Sequence, residues 1–263
     1  MSVSIRMRLA LAGLAVSMAA IPVLATGTGN GFEPAPCVVG EEIRGFAQDL
    51  PRARAALAAG QVLNVVALGS SSTQGARASS DERTYPALLQ EELNRLLPGR
   101  DIKVVNAGVG SNSAHQMYLR LEHDVIGEEP KLVIWQTGMI DAIHDVGIDR
   151  FKRIVRKGIA RLREAEIDVV LMDHQPLPNS ARYALYRDYM AALREVAAET
   201  GVPVFRRYDV LSELLGSGRL RMDEIFTTDT LNPVDRGYYC IAANLAQTLA
   251  AKLSPRAAPE PQR

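Results

Sequence analysis

Four short polar segments contain residue types that could perform nucleophilic chemistry. The first, Gly-Ser-Ser-Ser-Thr-Gln-Gly at residues 69–75, is a small turn rich in hydroxyl groups. Such a turn can present one serine as a nucleophile and can offer backbone N–H groups to an oxyanion. It lacks the lysine and the spacing of a phosphate-binding loop, so nucleotide binding is disfavoured. On this segment alone, a polar turn with helix-capping serines is an equally good interpretation.

The other three segments have the same polar, turn-forming character. They are Asn-Ala-Gly-Val-Gly-Ser-Asn-Ser at residues 106–113, Gly-Met-Ile-Asp at residues 138–141, and Asp-Thr-Leu-Asn-Pro at residues 229–233. Each is weak evidence by itself. Two of them follow apolar runs, and the third precedes the last helical segment. Their order and placement along the chain are therefore more specific evidence for a functional site than any one segment.

Apolar runs and amphipathic segments alternate along the chain. Strands are predicted at Val62–Leu68, Ile102–Val105, Lys131–Gln136, Val169–Met172 and Val204–Phe205. Helices are predicted at Glu41–Ala59 (interrupted by Pro51), Tyr85–Leu97, Ser113–Ile126, Asp149–Glu166, Asn179–Thr200 and Pro233–Leu253, with a loop before the last. This alternation predicts an α/β fold with right-handed crossovers: a doubly wound parallel sheet in a three-layer α/β/α arrangement. Ligands of such sheets bind at the carboxyl ends of the strands, where the polar segments would converge.

Composition excludes several other classes of protein. The chain has 263 residues, with 30 basic and 30 acidic side chains, so a broad nucleic-acid-binding face is not expected. Two cysteines cannot build a disulfide scaffold or a four-cysteine zinc site. His115 and His123 lie eight residues apart without a nearby third ligand, which is weak evidence for a metal. We expect neither a cofactor nor a metal.

The N-terminus has the pattern of a secretory signal peptide over residues 1–25. Arg6 and Arg8 precede a mostly apolar run that ends in Val-Leu-Ala. An uncleaved membrane anchor is the alternative, but the run is short for a span and contains Pro22. We therefore expect an exported protein, periplasmic or secreted, with no membrane span after signal cleavage.

The predicted organisation has four parts. The signal peptide is followed by a flexible, Gly- and Pro-rich arm over residues 26–40, a single domain over 41–253, and a disordered tail over 254–263. Cys37 lies in the arm and Cys240 in the last helical segment. In an oxidising compartment the two would pair and attach the arm to that helix, although two buried free thiols remain an alternative.

At residues 61–253 the sequence resembles the SGNH, or GDSL-like, hydrolase family. That family has a flavodoxin-like fold and a nucleophilic serine in a Gly-Asp-Ser-x-Thr-x-Gly turn. The resemblance places Ser71 at the nucleophile and Ser70 at the family's aspartate. It matches the second family block with Asn106 and Gly108, and it implies an oxyanion- or substrate-binding role for Gly110 and Ser111.

Two departures from the family pattern concern the chemistry. The family's Asp-x-x-His appears as Asp229-Thr-Leu-Asn232, so Asp229 is retained and an amide replaces the general base. An amide has no basic nitrogen in the useful pH range, and loss of the base from a serine triad costs roughly 10⁴–10⁶ in kcat. Ile140 occupies the position of the family's oxyanion-binding asparagine. Loss of one such donor lowers kcat by roughly 10²–10³. His144 and His174 both follow predicted strands and are the candidates for a substitute base.

Three functions remain open. The resemblance implies a serine ester hydrolase, either an esterase or a deacetylase, acting on a small acyl ester such as an acylated envelope glycan, with activity weakened or lost because of Asn232. The alternatives are a catalytically degenerate module that binds such a glycan and an envelope O-acyltransferase. Transfer requires a base as well, so the third function shares the difficulty of the first.

Overall fold

The centre of the structure, a computed structural model, is a parallel five-stranded sheet with the order β2-β1-β3-β4-β5. The strands are β1 (Leu63–Gly69), β2 (Ile102–Gly108), β3 (Leu132–Gln136), β4 (Asp168–Met172) and β5 (Val204–Phe205). The structure describes residues 37–177, 183–227 and 232–254. The predicted signal peptide, residues 26–36 of the arm, Asp229 and all but the first residue of the tail lie outside these ranges.

The strand order confirms the predicted flavodoxin-like, doubly wound arrangement. The three central strands are almost wholly buried, which explains why their sequences read as nearly continuous apolar runs. Alternate side chains of β1 enter different apolar clusters, Val65 and Ala67 on one face and Val66 and Leu68 on the other. The sheet is therefore covered on both faces.

The helices form the two outer layers. They are α1 (Glu41–Arg44), α2 (Pro51–Ala58), α3 (Ser71–Gln74), α4 (Tyr85–Leu96), α5 (Ala114–Leu119), α6 (Leu121–Asp124), α7 (Met139–His144), α8 (Ile148–Glu164), α9 (Tyr186–Thr200), α10 (Arg207–Gly216), α11 (Met222–Ile225) and α12 (Asp235–Leu253). Helices α2, α4, α10 and α12 cover one face of the sheet, and α5, α7, α8 and α9 cover the other. None of the helices within the described ranges has both the length and the apolar character required to cross a membrane.

The region predicted as a loop before the last helix contains α10 and α11, so that prediction was wrong. Val210, Leu211 and Leu214 of α10 are fully buried and have helical spacing. Strand β2 also extends three residues beyond its predicted end, because Asn106–Gly108 pair with Ala67–Gly69 of β1. This extension brings the second polar segment alongside the first.

A disulfide joins Cys37 to Cys240, as predicted, with 4.8 Å between the Cα atoms. The Asn244 side chain reinforces this connection, because its Nδ2 donates to the carbonyl oxygens of Cys37 (2.7 Å) and Cys240 (2.8 Å). Its Oδ1 accepts the Val39 N–H at 3.0 Å. The beginning of the described chain is thus fixed to α12 by one covalent bond and by two hydrogen bonds of Asn244, to Cys37 and Val39.

Replacing both cysteines by serine should lower the free energy of unfolding by about 2–5 kcal/mol, because the crosslink closes a loop of 203 residues. Urea denaturation of the oxidised protein and the double variant measures the difference. The control is each protein with reducing agent, which should destabilise only the wild type. Equal stability of the two proteins without reducing agent would contradict a stabilising role.

Candidate functional site

Ser71 lies at the carboxyl end of β1, at the first position of the short helix α3. The turn ends at Gly75, which has a φ of 103° and is therefore in a region that favours glycine. Ser72 and Thr73 are buried, whereas Ser71 is only half-buried. The turn therefore leaves Ser71 the more accessible of the three hydroxyl groups, in agreement with its assignment as the candidate nucleophile.

The side chain of Gln136, at the end of β3, holds this turn from below. Its fully buried Oε1 accepts the Ser70 N–H at 2.9 Å and the Ser70 hydroxyl at 3.0 Å. The hydroxyl groups of Ser72 and Thr73 lie at 3.3 Å from the same oxygen. Gly69 permits this approach, since a Cβ there would lie 2.8 Å from Oε1. Gln136 is therefore a positioning residue that the sequence reasoning missed.

Arg207 is a second missed residue, and its guanidinium is fully buried. Its Nη1 donates to the Ser72 hydroxyl at 3.1 Å, and its Nε donates to the carbonyl oxygen of Asp173 at 3.1 Å. Burial lowers the pKa of Arg207. The Asp173 carboxylate accepts hydrogen bonds from Arg194 and from the Tyr208 N–H instead. Arg207 therefore connects the turn at β1 to the end of β4 and has no direct carboxylate partner among the described residues.

The loop after β2 packs directly against the Ser71 turn. The Gly110 N–H, a predicted oxyanion donor, donates to the Gln74 Oε1 at 2.9 Å, so an oxyanion could use it only if this bond broke. Ser111 has a φ of 60°. This left-handed conformation explains why a glycine suits the same family position. The roles of Gly110 and Ser111 in binding remain predictions.

Asn232 contacts Ser71 directly. The Ser71 hydroxyl donates to the Asn232 Oδ1 at 3.0 Å, across 161 residues of sequence. The structure thus brings the family's nucleophile and base positions together. An amide oxygen can accept this hydrogen bond but cannot take up the proton at neutral pH. Asp229 lies outside the described residues, and its role stays a prediction.

The third family block supplies no polar donor at Ile140. This side chain is 8% exposed and belongs to an apolar cluster with Met139 and Ala142. The neighbouring Asp141 is buried, and its two carboxylate oxygens accept the Ala114 N–H at 3.2 and 3.0 Å. Burial raises the pKa of Asp141 to about 6. The block therefore fixes the start of α5 and adds no side-chain oxyanion donor at residue 140.

Neither substitute histidine contacts Ser71. His174 is fully buried, neither of its ring nitrogens has a hydrogen-bond partner among the described residues, and burial lowers its pKa to about 3. His144 is exposed at the end of α7. His123 is exposed beside Asp124. In the part of the chain that the structure describes, no three His, Cys, Asp or Glu side chains form a group that could hold a metal ion.

The sequence model of the non-GDSL lipase-like family matches residues 36–255. The chain belongs to this family. No curated protein sequence matches it. This membership supports a hydrolase of the SGNH type that acts on ester bonds, and the parallel sheet has the fold of that type.

Several solved structures share the fold. A structure named as a lipolytic protein of the G-D-S-L family from Desulfitobacterium hafniense DCB-2 is 22% identical, covers 70% of this chain and 98% of its own, and has a TM-score of 0.57. A two-domain esterase active on acetylated mannans is 24% identical, with a TM-score of 0.64; the match covers 81% of this chain but only 54% of that one. An acetylxylan esterase from Geobacillus stearothermophilus, solved as a catalytic mutant, is 19% identical over 71% and 94% of the chains, with a TM-score of 0.61. At these identities the likeness establishes the fold.

Substituting Gly108 by alanine should displace the Ser71 turn, because the added Cβ would overlap the backbone of Thr73 and Gln74. We expect a loss of about 1–3 kcal/mol in the free energy of unfolding, as for other overpacked sites. Urea denaturation measures it. Gly216→Ala is the matched control, since a Cβ there meets nothing within 4 Å. Equal stability of the two variants would contradict the prediction, because it would show that the backbone at residue 108 accommodates a Cβ at no cost.

The buried carboxyl of Asp141 should make stability depend on pH. Because its pKa is about 6 in the folded protein and 3.8 without burial, the folded state binds the proton more tightly. Relative to Asp141→Asn, the wild type should lose up to about 3 kcal/mol of stability as pH rises from about 4 to 6, and little beyond it. Urea denaturation of both proteins at several pH values tests this. A difference that does not change with pH would contradict the raised pKa.

Proposed function

We propose that the protein is an exported serine ester hydrolase that removes a small acyl group from a glycan ester, with Ser71 as the nucleophile and with turnover limited by Asn232. The observation that carries this proposal is the hydrogen bond between Ser71 and Asn232 at 3.0 Å, at the carboxyl edge of the sheet. It supports the assignment of residues 71 and 232 as the nucleophile and base positions of this fold. The disulfide supports the exported location.

The glycan substrate is supported by the solved structures with this fold. One is an esterase active on acetylated mannans, and others are acetylxylan esterases. We infer that the acyl group is small and that the alcohol belongs to a sugar. The protein requires no cofactor for this chemistry.

The proposed reaction has two steps. The Ser71 Oγ attacks the acyl carbon while its proton leaves, and the ester C–O bond breaks as the sugar oxygen takes up a proton. Water then attacks the acyl-serine, releases the carboxylic acid and restores the hydroxyl. Asn232 orients the Ser71 hydroxyl but cannot accept its proton, so the proton must pass to solvent. Without a base, kcat is expected to be roughly 10⁴–10⁶ below that of a complete triad.

Binding without turnover is the second candidate, and the same two side chains favour it. Asn232 supplies no base, and Ile140 supplies no oxyanion donor. Such a module would retain the acylated glycan at the Ser71 turn. O-Acyl transfer to a sugar hydroxyl needs the same proton acceptor, and product analysis with an acceptor sugar present distinguishes it from hydrolysis.

Asn232→His should raise the rate of hydrolysis of a short-acyl chromogenic ester by at least about a hundredfold, since it returns an imidazole to the position that contacts Ser71. Asn232→Ala is the matched control, because it removes the amide without adding a base, and it should produce no such gain. Steady-state kinetics of the mature chain and both variants measures the effect.

Labelling by a fluorophosphonate probe tests the nucleophile separately. The wild type should react slowly, and Ser71→Ala should not react at that position. If neither the wild type nor Asn232→His is labelled, and both hydrolyse esters at the Ser71→Ala background rate, the hydrolase proposal is wrong. Saturable binding of an acetylated glycan under those conditions would establish the second candidate.

A further inference from the structure

A pocket of about 280 Å³ lies among α5, α7 and α8, apart from the Ser71 turn. Neither Ser71 nor Asn232 lines it. Helix α5 nevertheless follows β2, and α7 and α8 follow β3. These two strands flank β1, the strand that leads to Ser71. The volume of the pocket is just below the usual range for ligand pockets, roughly 300–1,000 Å³. It therefore suits a group about the size of one sugar ring that is attached to a larger molecule.

One wall of the pocket is apolar. It consists of Val146, Phe151 and Ile154, in the segment that leads into α8 and in its first two turns. Phe151 is held in place by Tyr189, whose ring centroid lies 5.4 Å away. A fixed apolar wall of this kind can pack against the C–H face of a sugar ring.

The remaining lining contains polar groups that the fold does not use fully. The Nδ1 of His115 is buried and has no hydrogen-bond partner among the described residues. Asp141 is 1% exposed; its carboxylate accepts the Ala114 N–H and faces the backbone N–H groups of Gly138 and of Asp141 itself, and its two oxygens have about four lone-pair sites in all. Arg150 is exposed in the first turn of α8 and makes no ion pair or hydrogen bond within the described ranges.

These groups define the ligand by chemistry. The positive charge of Arg150 favours an anionic ligand, and a carboxylate matches the planar guanidinium with two parallel hydrogen bonds. Asp141 needs hydroxyl groups that donate to it, and the apolar wall needs a nonpolar face. A sugar ring that carries both hydroxyl groups and a carboxylate meets all three requirements, whereas a simple acyl chain offers no donor to Asp141 and no anion to Arg150.

We propose that this pocket is a binding subsite for one acidic sugar ring, of the uronic acid type. The nonpolar face of the ring would pack against the apolar wall at Val146 and Ile154, its hydroxyl groups would donate to Asp141 and His115, and its carboxylate would pair with Arg150. Any link between this subsite and catalysis rests on the proposed function, in which the glycan that occupies the subsite also carries the ester attacked by Ser71. The binding itself does not depend on hydrolysis.

The test is an NMR titration of the full mature chain carrying Ser71→Ala, which excludes turnover. Methyl glucuronide should bind with a millimolar Kd and shift the amide signals of residues 113–116 and 148–154. Methyl glucoside, which lacks the carboxylate, should bind at least about tenfold more weakly. Arg150→Gln should weaken glucuronide binding by a similar factor and leave glucoside binding unchanged.

Arg153→Gln is the matched control. Arg153 is exposed on the same helix and does not line the pocket, so its replacement should change the Kd by less than about twofold. Equal binding of the two sugars, equal effects of the two arginine substitutions, or no shifts at residues 113–116 would each overturn the proposal. If ester hydrolysis is also absent while glucuronide binds as described, the proposed function fails and the subsite stands.

Discussion

The side-chain carbonyl of Gln136 is the interaction on which the candidate site depends. Its buried oxygen accepts hydrogen bonds from the Ser70 N–H and from the hydroxyl groups of Ser70, Ser72 and Thr73. A carbonyl oxygen has two lone pairs, so the two short bonds to Ser70 dominate and the longer ones share the remaining capacity. Because these donors sit on both sides of Ser71 in the sequence, this single acceptor determines the path of the backbone that presents the Ser71 hydroxyl.

A buried cation completes this arrangement. Arg207 approaches the turn from the end of β5 and binds the Ser72 hydroxyl, while Asp173 is occupied by Arg194. A guanidinium without its own carboxylate is costly to bury, and its pKa is lowered accordingly. The positive charge lies below the turn where an oxyanion would form, so it favours negative charge at that end of the sheet. This contribution comes from the scaffold and does not depend on residue 232.

The strand order and the placement of the first three polar segments at one edge of the sheet could be predicted from the sequence, because parallel strands with helical crossovers place all their carboxyl ends at that edge. The contact between Ser71 and Asn232 is what the family resemblance implies, because it assigns these residues to the nucleophile and base positions. The partners beneath the turn could not be predicted. Charged residues are seldom fully buried, so no pattern in the sequence marks Arg207 as part of the site, and Gln136 is simply the last residue of a predicted strand. A polar residue at the last position of a buried strand was the available signal.

The disulfide between Cys37 and Cys240 also has a topological consequence. Every strand of the sheet, Ser71 and Asn232 lie between its two cysteines, so the bond closes nearly the whole domain into one covalent ring. A single break in the backbone anywhere inside this ring leaves both pieces attached to each other. A domain built in this way retains Ser71 and α12 in one molecule even after a protease has cut a surface loop once.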